Sequence, residues 1–69
     1  MTDRERLRRR REALDVSLDL VARRMGITGS APALSRWERE LAVNLPKKKT
    51  PAEYRAALDA IAEEREAAK

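Results

Sequence analysis

Apolar residues recur along the chain in four short runs with helical spacing, and no stretch alternates as a strand does. In the first run Leu7 and Leu14 share one stripe among arginines, and Thr2 or Asp3 is an N-cap, so a helix is predicted from there to Leu14. Asp15, Val16 and Ser17 break the pattern. Ser17 is a good N-cap for a second helix, Leu18 to Met25, in which Val21 and Met25 lie four apart beside Ala22. Gly26 is placed to end it as a left-handed residue, and Ile27 is expected to turn inward. Ser30 then caps a third helix starting near Ala31, where Pro32 is tolerated because it lies in the first turn. Leu34, Trp37 and Leu41 continue that helix's apolar spacing, which predicts a helix reaching Ala42 or Val43 and stopping at Asn44. Thr50-Pro51-Ala52-Glu53 reads as a capping box with proline at the first helical position, so a fourth helix starts there. Its buried stripe is Tyr54, Leu58 and Ile61, and residues 63–69 form a polar tail expected to fray.

Length and composition narrow what such a bundle can do. A 69-residue chain is one small domain, and chains of this size bury only about 60% of the surface exposed when unfolded, which leaves little room for a deep cleft. Cysteine and histidine are both absent, which removes disulfides, Cys/His metal sites, thiol nucleophiles and the usual general base. No remaining Ser, Thr, Tyr, Lys or carboxylate group falls into a motif with catalytic spacing, so neither an enzyme nor a cofactor is expected. The charged first residues and the lack of a long apolar run predict a cytoplasmic protein with no membrane partner. Charge is uneven: residues 1–50 hold thirteen Lys/Arg against seven Asp/Glu, whereas residues 51–69 hold three against five. The basic part attracts polyanions, most simply nucleic-acid phosphates, although acidic proteins share that attraction.

The second and third helices are joined by a tight glycine-containing turn and preceded by a helix able to pack across both, which is a helix-turn-helix arrangement over residues about 17–43. The ordered set Leu7, Arg11, Val16, Ser17, Val21, Ala22, Gly26, Ile27, Ser30, Leu34, Ser35, Arg36, Trp37 and Glu38 resembles the Cro/repressor-type (XRE) helix-turn-helix family. The likeness covers residues 7–39 well and the fourth helix loosely. It implies an all-α, four-helix, lambda repressor-like domain that binds double-stranded DNA as a small bacterial or phage transcriptional regulator. Three departures stand out. Ile27, Thr28 and Gly29 make the turn two residues longer than the family's usual one, Glu40 stands where the family commonly has glycine, and Leu18 stands where it often has glutamine.

Docking of the repressor type would bring Ala31, Pro32, Ala33, Ser35 and Arg36 nearest the base edges. Arg36 is the reader among them, because a guanidinium can bond guanine O6 and N7 together, while the neighbouring residues offer apolar contact. Leu34 and Trp37 belong to the core by their spacing. Arg39, one turn on, is assigned to phosphate, and Thr28, Gly29 and Ser30 offer amides or hydroxyls at a helix N-terminus. Lys47, Lys48 and Lys49 either contact phosphate or form a solubilising loop. Arg8, Arg9 and Arg10 are divided between phosphate contact and solvation. By resemblance, Arg11 and Glu38 pair to tie the first helix to the recognition helix. A weak or DNA-dependent homodimer could form through the Tyr54 to Ile61 helix. The alternative reading is an arginine-rich RNA-binding or protein-interaction module on the same scaffold, suggested by "RERLRRRRE".

Overall fold

Each helix starts and stops where a local signal forces it to. The computed structural model describes residues 2–68 and contains four α-helices: α1 (Asp3–Ala13), α2 (Leu18–Arg24), α3 (Ala31–Glu38) and α4 (Pro51–Ala67), with a short 3₁₀ turn at Pro46–Lys48. No strand occurs among the described residues, so the domain is all-α. Thr2, Ser17 and Thr50 each sit in extended backbone and accept a hydrogen bond from the amide three residues on, at Glu5, Leu20 and Glu53. At Thr50 the bond is reciprocal, since the Glu53 carboxylate accepts from the Thr50 amide at 2.8 Å.

The first three helices end by one device. A residue with positive φ follows the C-cap, at Asp15 (56°), Gly26 (77°) and Glu40 (63°), and the next amide reaches back five residues. These bonds are Val16 to the Arg11 carbonyl (3.1 Å), Ile27 to Ala22 (2.9 Å) and Leu41 to Arg36 (2.8 Å). At the first two sites the residue after the turn plugs the core: Val16 and Ile27 are 3% and 2% exposed.

Several expectations are corrected. α3 ends at Glu38, not at Ala42 or Val43, because Glu40 turns left-handed and breaks the helical ladder, so Asn44 stops nothing and the helix-turn-helix unit closes earlier. The same turn throws Leu41 out of the apolar stripe, to 74% exposure. Ser30 takes the N-cap place of α3, but its φ and ψ (−95°, 15°) are not extended and its hydroxyl makes no capping bond. The polar tail stays helical to Ala67, while Lys69 lies outside the described residues.

The interior is one cluster: Leu7 of α1, Val21 and Ala22 of α2, Leu34 and Trp37 of α3, and Tyr54, Leu58 and Ile61 of α4, closed by Val16, Met25, Ile27 and Leu45. α2 and α3 pack on each other, and α1 and α4 cover them. The Trp37 and Tyr54 rings are 5.6 Å apart at a 36° tilt, a packing pair at the centre. The radius of gyration is 11.4 Å, close to the roughly 11 Å of a compact chain this long. Because the Tyr54, Leu58 and Ile61 stripe is consumed in this core, it is not available to a second copy. No helix among the described residues is long and apolar enough to cross a membrane.

Candidate nucleic-acid interface

The amphipathic split of α3 decides which side chains can reach a partner. Leu34, Trp37 and Glu38 are buried, so the helix is seated by that face, and Pro32 and Arg36 emerge on the other with Arg39 at the C-cap. Neither arginine side chain makes an ion pair or hydrogen bond among the described residues, so both guanidinium groups keep all their donors. Ala31, Ala33 and Ser35 are only half-buried, at the margins of this face.

In the turn, Thr28 and Gly29 are exposed and Gly29 has φ +91°. A Cβ there would meet nothing within 4 Å, so glycine is needed for the backbone angle and not for room. The Ser30 amide donates to the Ile27 carbonyl at 3.1 Å, whereas the Thr28 and Gly29 amides have no backbone acceptor among the described residues. Of the three amides assigned to anion contact, Ser30's is therefore already used inside the turn. Leu18, the first residue of α2, is partly buried against the core, so its side chain offers no polar contact there.

The lysines separate. Lys47 and Lys48 are exposed and both left-handed, with φ of 54° and 59°. Lys49 is half-buried and its Nζ lies 4.0 Å from the Glu53 carboxylate, which partly neutralises it. The α1 arginines separate too. Arg8 pairs with Glu12, Arg10 with Asp59 and Arg11 with Glu38, leaving Arg6 and Arg9 exposed without an ion pair among the described residues.

The Arg11–Glu38 pair is bidentate: Nε meets Oε2 at 2.9 Å and Nη2 meets Oε1 at 3.0 Å, while Nη1 donates to the Val16 carbonyl at 2.9 Å. Side-chain exposures of 16% and 3% make it a largely dry pair. Burial opposes the Arg11 charge, but the hydrogen bond to Glu38 and its charge outweigh burial and hold the guanidinium above its ordinary pKa. The Tyr54 hydroxyl also donates to Glu38 Oε2, and burial, then that bond, raises the tyrosine pKa far above its usual value. No buried side-chain polar atom among the described residues lacks a partner.

Two residues escape sequence reasoning. Tyr54 reads only as core, and its hydroxyl's reach to Glu38 becomes visible once α4 is laid across α3. Arg4 gives no signal, because no spacing rule connects it with Trp37, Ala42 and Val43, whose carbonyls it binds.

Compared with known proteins, the chain matches no protein family, no curated protein and no solved structure.

Proposed function

We propose that the chain is a sequence-specific duplex-DNA-binding protein of the Cro/repressor (XRE) type, a small cytoplasmic transcriptional regulator with α3 as its recognition helix. The observation that carries the reading is the division of α3: Leu34, Trp37 and Glu38 lock one face, and Pro32, Arg36 and Arg39 are left outward with unengaged guanidinium groups. A short, firmly seated helix with free arginines fits major-groove reading, with Arg36 toward a guanine edge and Arg39 toward phosphate. Thr28, Gly29, Lys47 and Lys48 supply further exposed donors for backbone contact. Since the Tyr54 to Ile61 stripe is occupied within one copy, pairing of two copies is tied to a two-fold symmetric duplex site.

The arginine-rich RNA reading is less well supported, since Arg4, Arg8, Arg10 and Arg11 all bond within the chain. Selection of bound sequences from a random duplex library tests the proposal, followed by competition of the selected duplex with RNA. A recurrent motif and an affinity falling with salt, by roughly 0.9 in log K per log salt for each phosphate neutralised, are expected. No enrichment together with a salt slope near zero would defeat it.

A further inference from the structure

Arg4, in the first turn of α1, makes more tertiary hydrogen bonds to main-chain atoms than any other described side chain. Its Nη1 donates to the carbonyls of Trp37 (3.2 Å) and Ala42 (2.8 Å), and its Nη2 to that of Val43 (2.7 Å). The guanidinium carbon also lies 5.1 Å from the centre of the Trp37 ring. No carboxylate pairs with it among the described residues, so this cation is directed wholly at neutral carbonyls and one ring face. The Ala42 and Val43 carbonyls have no backbone donor among the described residues, which leaves Arg4 as the group that holds them.

What Arg4 fastens is the chain leaving α3. That segment adds little to the interior: Leu41 is 74% and Val43 82% exposed, and Arg39 and Glu40 are exposed as well. A segment with so few buried apolar contacts is ordinarily among the least ordered parts of a small domain. Here two of its carbonyls, those of Ala42 and Val43, are pinned by Arg4, which at the same time holds the Trp37 carbonyl of α3. Pinning contributes to binding when a segment must hold one position on its partner, because the ordering entropy is then already lost before contact.

We propose that Arg4 is a positioning residue for the α3 interface, fixing the Arg39–Val43 segment against the end of the recognition helix without itself touching the partner. The proposal rests on the duplex-DNA reading above. A lysine at this position keeps the charge but lacks the planar fork that spans three acceptors, so charge and geometry separate cleanly.

The experiment compares wild type, Arg4→Lys and Arg4→Ala on the selected duplex at several salt concentrations, with amide hydrogen exchange of the free proteins. Both variants are expected to exchange faster at Leu41, whose amide donates to the Arg36 carbonyl, while α2 and α4 stay protected, and to bind about tenfold more weakly. Their salt slopes should match wild type, because no phosphate contact is lost. Recovery of affinity in Arg4→Lys, or a slope reduced by about 0.9 in Arg4→Ala, would make Arg4 a direct phosphate contact and overturn the proposal. Unchanged affinity in both variants would overturn it too, leaving Arg4 a purely structural group. A wild-type protein without duplex affinity would overturn the reading of α3 and this proposal together, an outcome distinct from the other two.

Discussion

Tyr54 and Arg11 share one acceptor atom: the tyrosine hydroxyl and the arginine Nε both donate to Oε2 of Glu38. Because the three residues lie on α4, α1 and α3, a single carboxylate joins helices that are distant in sequence. Replacing it by Glu38→Ala strands a half-buried guanidinium and a buried hydroxyl together. Breaking a buried pair in this way costs on the order of 3 kcal/mol, which corresponds to a Tm lower by roughly 15 °C in a domain this small. An unchanged Tm would show that the carboxylate does not hold the helices together.

The same site sets an alkaline limit. The folded Tyr54 holds its proton far above the ordinary value near 10, chiefly through burial and then through Glu38. Below that value folded and unfolded chains are both protonated and the contribution is constant. As pH rises above it, the unfolded chain releases a proton the folded chain keeps, so stability falls, by up to about 1.4 kcal/mol per pH unit. Urea titrations from neutral pH to pH 11 should show this decline in wild type and a shallower one in Tyr54→Phe. Since Tyr54 is the only tyrosine, phenolate absorbance appearing with unfolding, and not before it, gives an independent check.

Glu40 carries a strained backbone with φ of 63°, in the position that ends α3. Glutamate has a Cβ and glycine does not, so Glu40→Gly should stabilise the protein by about 1 kcal/mol. Asp15→Gly, at φ 56°, should gain less, because aspartate tolerates that region better than glutamate. Urea midpoints measured at constant m-value check both. No gain at Glu40 would mean that the left-handed turn is not a source of strain.

On the proposed duplex, Arg36→Ala should cost about 1 to 3 kcal/mol at the preferred site and relax preference at one base pair, with the fold intact. Arg36→Lys should restore charge without restoring that preference. The comparison runs over the preferred site and its single-base substitutions. Unchanged preference everywhere would make Arg36 a phosphate contact or a solvated group, and move sequence reading to Ala31–Ala33 or to DNA shape.

The three lysines should not behave alike. Lys47→Ala and Lys48→Ala are each expected to flatten the salt slope by about 0.9, and Lys49→Ala by much less, since Glu53 already lies beside Lys49. Equal changes for all three would show that the Glu53 contact gives way on binding.

Local chemistry made most of the bundle legible. Thr50 to Glu53, Ser17 and Gly26 each specify a helix boundary through atoms no more than a few residues away, and Tyr54, Leu58 and Ile61 specify a buried face by spacing alone. The end of α3 was not legible for the converse reason. Leu41 continues the apolar period, and nothing in a glutamate announces a left-handed turn, so periodicity carried the expected helix past Glu38. On the candidate interface, Pro32 and Arg36 fall outward as their phase requires, while the commitment of Lys49 to Glu53 and of the Ser30 amide to Ile27 depends on loop geometry. Arg11 and Glu38 meet as the family likeness implied. Arg4 lies beyond any such inference, because its acceptors are carbonyls, which every residue has.

Pro32, Arg36 and Arg39 hold up nothing in the interior, while the residues that seat α3 all point the other way. Mutations that alter what the helix touches and mutations that alter whether it stands are therefore drawn from separate sets of positions. A lineage carrying this domain can drift through many different outward triplets at 32, 36 and 39 without passing through an unfolded ancestor. A library randomised at those three positions should consist mostly of folded proteins, whereas one randomised at 34, 37 and 38 should not.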